Sequence, residues 1–296
     1  MTDTVQSRPH TLFVYGSLLQ TLGLHHNLAG AHLLGPALTA GRLYDLGAFP
    51  GLTPGDDPVV GELYAIDDAT LESLDHIEGF SPSSPETSFY RRERLPVTRL
   101  GDGAVREAWT YFYNQSVRGR PRVPHGDWRR LVLERTAGPH PVLCYGSNLS
   151  SARLHARVGA TPPVRTGVLP GYRLVFNKRP SLGEAAYANL AFTEAAPEAP
   201  TGDGVLVGDP APVPAAPFTV VLLTPNQLDV LDDYEGVPDH YLRTTLPAAW
   251  DGQPTPRPSF VYLAHPAMII PDVAPAEPYA ALVRAGYAEH GFVPAF

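Results

Sequence analysis

Leu12-Phe13-Val14-Tyr15-Gly16-Ser17-Leu18-Leu19, near the N-terminus, returns as Val142-Leu143-Cys144-Tyr145-Gly146-Ser147-Asn148-Leu149. Each octet reads as a β-branched and aromatic strand stopped by a Gly-Ser turn. Two more echoes keep the same order. Leu71-x-x-Leu74-Asp75-x-x-Glu78-Gly79 is matched by Leu228-x-x-Leu231-Asp232-x-x-Glu235-Gly236, and Tyr90-Arg91-Arg92 by Tyr241-Leu242-Arg243. The offsets are 130 residues for Tyr15/Tyr145, 157 for Glu78/Glu235 and 151 for Tyr90/Tyr241, so the order holds while loop lengths differ. A spacing this long is that of a whole domain and not of a solenoid unit. Two copies of one fold are therefore expected, at 10–138 and 139–296, behind a flexible tail at 1–9.

A length of 296 residues agrees with two domains, each able to bury its own core. The net charge of −8 argues against non-specific binding to nucleic acid or to anionic membranes. No apolar run is long enough for a membrane span. Met1–His10 has no apolar core of a signal peptide and reads as a short disordered tail. The single cysteine excludes an internal disulfide and suits a reducing cytoplasm.

Strands are expected at 11–15, 41–46, 59–66, 94–100 and 108–113 in the first copy, and at 141–145, 171–177, 187–192, 218–223 and 259–264 in the second. Helices are expected at 18–29, 68–78 and 127–134, then at 150–158, 225–235 and 278–290. The Pro- and Ala-rich stretch 194–217 has no counterpart in the first copy and reads as a loop insertion. Short strands broken by a few helices, without βαβ alternation, indicate an α+β domain with a curled sheet or small barrel.

The chemistry is expected at the ends of the two repeated helices. Leu71, Leu74 and Glu78 lie on one helix face, as do Leu228, Leu231 and Glu235. Gly79 and Gly236 stand where a left-handed residue ends a helix. Each glutamate thus sits on an apolar stripe against the negative end of the helix dipole, where partial burial and the dipole both raise a carboxylate pKa. The competing reading is a solvated glutamate at a frayed end, which recurrence in two copies disfavours. The Tyr-Gly-Ser turns expose backbone N–H groups able to hold a carboxylate or an oxyanion. Their serine hydroxyls are the alternative nucleophiles, but neither copy has a Gly-x-Ser-x-Gly elbow. Cys144 matches Val14 and reads as a small buried strand residue. Tyr90/Arg92 and Tyr241/Arg243 read either as site residues on a flanking strand or, in preference, as cross-strand packing plus a solvated arginine. The histidines show no metal-ligand spacing, and no Walker loop or dinucleotide fingerprint occurs.

Taken together, these motifs resemble the γ-glutamylcyclotransferase superfamily, doubled: a first strand into Tyr-Gly-Ser-(Asn/Leu), then Leu-Asp-x-x-Glu-Gly followed by Tyr-x-Arg. The first copy is similar to the branch of γ-glutamylamine cyclotransferases and avirulence-induced proteins. The second, with Leu169-Pro170-Gly171-Tyr172 and Asp233-Tyr234-Glu235-Gly236-Val237, resembles the γ-glutamylcyclotransferase branch proper. The resemblance implies two small mixed β-barrels with flanking helices, packed on each other. It also implies release of 5-oxoproline from a γ-glutamyl amine or peptide, without metal or cofactor. Glu78 and Glu235 would be the acid/base catalysts. Tyr15, Gly16, Ser17 and Leu18, and Tyr145, Gly146, Ser147, Asn148 and Leu149, would hold the substrate. If one copy alone is active, the second is favoured, because Asn148 adds a polar amide and Thr224-Pro225 with Gln227 caps its helix more firmly. The alternatives are a non-catalytic small-molecule binding or interaction protein on the same fold, and one active domain beside a structural partner.

Overall fold

In the computed structural model, residues 8–159, 163, 165–180, 185–194, 213–250, 252–294 and 296 are described. Most of the expected tail and most of the 194–217 insertion lie outside these residues. The first half runs β1 (His10–Val14), β2 (His32–Asp45), β3 (Pro50–Ile66), α1 (Asp68–Ile77), β4 (Tyr90–Arg99), β5 (Val105–Tyr113) and α2 (Trp128–Glu134). The second runs β6 (His140–Cys144), α3 (Ser151–Val158), β7 (Arg165–Pro170), β8 (Tyr172–Lys178), β9 (Tyr187–Phe192), β10 (Ala215–Leu223), α4 (Pro225–Glu235), β11 (Tyr241–Ala248), β12 (Arg257–Ala264) and α5 (Glu277–Glu289). The helix expected at 18–29 is absent. Thr21 takes a left-handed φ of 70° there, and only a 3-10 turn forms at His25–Leu28.

β1 has no polar face. Phe13 points into the barrel interior, whereas Leu12 and Val14 pack beneath Leu71 and Leu74 of α1. β6 divides its side chains in the same way. Leu143 enters one core, and Val142 and Cys144 lie under Leu228 and Leu231 of α4. A strand covered on both faces reads as a continuous apolar run, which is why the octet is so legible.

The strand order is also repeated. The first half forms a closed barrel, β1-β3-β2-β4-β5, and the second a sheet β11-β12-β6-β10-β7, which is the same order read from another starting strand. Leu12 faces Trp109 in parallel register, and Val142 faces Phe260, so the partners are offset by 130 and 151 residues. Val14 faces Glu62 and Cys144 faces Thr219, offset by 130 and 157. The spacings that align the motifs therefore align the strand registers too.

The halves differ at closure. β2 has 14 residues and reaches β4 through Ala37↔Arg99 and Leu38↔Thr98, which shuts the first barrel. β7 has only six residues, and the second sheet stays open between β7 and β11. The β8–β9 hairpin instead leans on the first half. Gly101, at φ 100°, lies so close to β9 that a Cβ would stand 2.7 Å from the Leu190 carbonyl oxygen. Its own carbonyl accepts a 2.7 Å hydrogen bond from the Asn177 amide.

The joint between the halves is polar where α2 crosses β11. Asp127 caps α2 by accepting from the Arg130 amide at 2.9 Å, and its other oxygen accepts from the Thr244 hydroxyl at 2.7 Å. Arg129 reaches back to Glu62 at 2.5 Å and donates forward to the Thr245 hydroxyl and carbonyl at 2.8 and 2.6 Å. Both members of that ion pair are buried, 4% and 3% exposed. Gln20 N–H and the Tyr64 hydroxyl satisfy the remaining Glu62 oxygen at 3.0 and 2.8 Å.

Candidate functional site

α1 begins at Asp67, whose carboxylate accepts from the Thr70 amide at 2.7 Å, and ends at Glu78, with Gly79 left-handed at φ 61°. The turn returns the chain to Glu78, because Tyr90 N–H donates to the Glu78 carbonyl at 3.3 Å. Opposite stands the turn after β1. Gly16 is needed there, since a Cβ would come within 2.8 Å of the Pro50 ring. The Gly16, Ser17 and Leu18 amides donate to no protein acceptor among the described residues.

A cavity of about 260 Å³ opens between these elements, lined by Tyr15, Gly16, Ser17, Leu18, Glu78, Tyr90 and Tyr111, with Leu24, Phe49, Ile77 and Phe89 on its apolar wall. The Glu78 carboxylate has no hydrogen bond or ion pair among the described residues. Burial alone pushes its pKa up to about 7. Such a group exchanges a proton readily near neutrality. The segment Ser81–Ser88, between Glu78 and Tyr90, does not line the cavity. It is folded on itself, with Ser81 N–H donating to the Ser88 hydroxyl at 2.9 Å and the Asn114 amide donating to the Ser88 carbonyl at 2.9 Å.

The aspartate of the repeated helix has a part that the sequence reading did not assign. Tyr15 donates to the Tyr111 carbonyl at 2.5 Å, Tyr111 donates to Asp75 at 2.8 Å, and Arg92 pairs with the other Asp75 oxygen at 2.5 Å. In the second half Tyr145 donates to the Tyr262 carbonyl, Tyr262 to Asp232 at 2.7 Å, and Arg243 stands 3.3 Å from Asp232. The two arginines expected in solvent are thus tied to the helix that carries the glutamate. The signal was available, because Asp75/Asp232 and Arg92/Arg243 recur with their motifs.

The second glutamate is occupied. Glu235 Oε1 accepts from the Asn148 amide at 3.0 Å and from Arg157 Nη1 at 2.8 Å. The cavity beside it is larger, about 400 Å³, with Ser147, Arg153, Arg157, Lys178 and Tyr279 among its walls. Tyr145, Gly146 and Asn148 line a small adjoining recess. Leu149, expected at the site, is fully buried against Gly286 of α5 and lines neither space. Burial pushes the Cys144 thiol up to about 12, so it stays protonated and is a poor nucleophile.

The family model described as "Gamma-glutamyl cyclotransferase, AIG2-like" matches residues 12–130. The chain is 38% identical over 118 residues to the gamma-glutamylcyclotransferase family protein YtfP of Escherichia coli K12, covering 40% of this chain and 94% of that protein. It is 32% identical over 130 residues to the gamma-L-glutamyl-butirosin B gamma-glutamyl cyclotransferase of Niallia circulans, covering 43% and 80%. The crystal structure of YkqA from Bacillus subtilis superposes with a TM-score of 0.70 over 95% of this chain and 92% of that one, at 20% identity. That likeness extends the shared fold to both halves.

Proposed function

The chain belongs to the gamma-glutamyl cyclotransferase, AIG2-like family, and from that premise we propose that its first half is a cyclotransferase with Glu78 as the proton carrier. The observation that carries this reading is the unpartnered Glu78 carboxylate, with its pKa raised to about 7, facing the Tyr15–Leu18 turn across the cavity. A γ-glutamyl compound enters with its α-ammonium near Glu78, which takes one proton. The freed amine attacks the γ-carbonyl of the same residue and forms the ring C–N bond. The proton passes from Glu78 to the leaving nitrogen as the original amide bond breaks, and the surplus proton of the ring nitrogen follows it, so that the amine departs as an ammonium. The products are 5-oxoproline and a free amine. The unpaired amides of Gly16, Ser17 and Leu18 hold the substrate carboxylate or the oxyanion of the tetrahedral intermediate. A folded, ring-ready substrate conformation lowers the entropic part of the barrier.

Sequence favoured the second half as the active copy, on the strength of Asn148 and a firmer helix cap. That cap is present, with Thr224 and Gln227 bonded reciprocally. The geometry nevertheless favours the first half. Asn148 and Arg157 already engage Glu235 Oε1, whereas the Glu78 carboxylate has no such partner among the described residues and faces its cavity.

The pH dependence tests this reading. Glu78 accepts a proton only as the carboxylate, so kcat/KM for 5-oxoproline release should rise with pH and inflect near 7. An inflection in the ordinary carboxylate range, or a flat profile between pH 5 and 8, would refute Glu78 as the base. The wall of Leu24, Phe49, Ile77 and Phe89 also sets a preference. γ-Glutamyl conjugates of uncharged, apolar amines should be turned over faster than γ-glutamyl peptides ending in a carboxylate. A substrate panel with the opposite ranking would overturn this assignment of the leaving-group pocket.

A further inference from the structure

The larger cavity of the second half differs in charge from that of the first. No lysine or arginine lines the first cavity, whereas Arg153, Arg157 and Lys178 all line the second. Arg157 is already committed to Glu235 and lies 5.1 Å over the Tyr234 ring. The other two cations lack a carboxylate partner among the described residues. Lys178, at the end of β8, is only 2% exposed. Its ammonium stands 3.0 Å from His240 Nδ1 and 5.3 Å from the faces of both Tyr187 and Tyr241. Arg153, one turn before Arg157 on α3, has a buried Nε with no hydrogen-bond partner. The exposed Asp233 at the rim is the cavity's one other acid among the described residues.

A buried ammonium and a buried guanidinium nitrogen with no carboxylate in contact are costly, because the Glu235 charge that attracts both is already paired with Arg157. Aromatic faces around Lys178 offset part of that cost while leaving its charge free for a ligand. Burial also lowers the pKa of both groups, as expected of cations awaiting an anion.

We propose that this cavity binds a small molecule carrying at least two anionic groups, carboxylate or phosphate, with one group on Lys178 and another on Arg153. Arg157, held by Glu235, shapes the wall between them, and Tyr279 from α5 closes the side next to Ser147. The second half is then a binding domain for acidic metabolites, whatever the activity of the first half. Its retained glutamate serves as an anchor for Arg157.

Isothermal titration of the full chain at constant ionic strength, with citrate and with inorganic pyrophosphate, tests the proposal. Acetate serves as the monoanionic control. At least one of the two polyanions should bind saturably at one site per chain, and acetate should not. Binding of citrate alone indicates polycarboxylates, and of pyrophosphate alone, phosphate esters. Lys178→Met and Arg153→Gln should each weaken binding about tenfold or more, since each removes a charge-assisted contact. Glu78→Gln should bind like the wild type, which assigns the ligand to the second half. Arg153 is only half-buried on a short helix, so its variant tests the idea even if Lys178→Met unfolds. Failure of both polyanions to bind, equal binding by acetate, or unchanged affinity in folded Arg153→Gln would overturn the proposal.

Discussion

Glu78→Gln is expected to lower 5-oxoproline release by about 10²–10⁴-fold, the usual cost of losing a general base. Glutamine keeps the shape of the side chain, so the cavity and the α1 cap should remain. Glu235→Gln should leave turnover nearly intact, because that carboxylate is held by Arg157 and Asn148. Activity kept in Glu78→Gln and lost in Glu235→Gln would move the chemistry to the second half. A stability measurement separates catalysis from folding. A carboxyl at about 7 in the folded protein, against an ordinary value of 4.5, keeps its proton longer when folded than when unfolded. Stability therefore falls as pH rises from about 4.5 to 7. Glutamine does not ionise, so Glu78→Gln should melt higher than the wild type at pH 8 and show no such gain at pH 4. An equal difference at both pH values would mean that Glu78 is not the buried acid described.

The largest stability effect is expected at the joint between the halves. Arg129→Met removes the counter-charge of Glu62, leaving it only the Gln20 amide and the Tyr64 hydroxyl. Breaking a buried pair on one side typically costs about 3–5 kcal/mol. The loss includes the donors that Arg129 presents to Thr245 of the second half. Urea unfolding, followed by fluorescence of the adjacent Trp128, measures it. Combining Arg129→Met with Glu62→Leu should recover much of the loss, because no charge is then stranded. A single-mutant effect below about 1 kcal/mol would show that solvent reaches Glu62.

Much of the architecture could be read from the chain because the repeated segments are those whose geometry is most constrained. The octet is legible since β1 and β6 are buried on both faces, and α4 was placed residue for residue by its Thr-Pro-x-Gln cap. The strand β7 was missed. Its Arg-Thr-Gly-Val-Leu-Pro run is mostly exposed and carries no apolar alternation. At the candidate site, the glutamates and the Tyr-Gly-Ser turns were picked out through recurrence. Arg153 and Lys178 were not, because each has no counterpart in the first half, and alone in a sequence a cation reads as solvated surface. Leu149 was assigned to the site by its place after Asn148. The 3-10 turn that follows Gly146 rotates it inward against α5 instead.

The polar joint has a kinetic consequence. Only residues 135–139 separate α2 from β6, so the face that presents Arg129 is tethered to the strand order that supplies Thr244 and Thr245. Docking of the halves is a first-order step, and its equilibrium does not change on dilution. Two separate polypeptides with the same faces would meet at a rate set by their concentration, and at low concentration would leave Asp127 and Arg129 to water. Fusion in one chain supplies a fixed effective concentration, of millimolar order for a short connection. A joint that combines buried charges and hydroxyls with the apolar contacts of Val60 and Leu100 thereby closes independently of protein concentration.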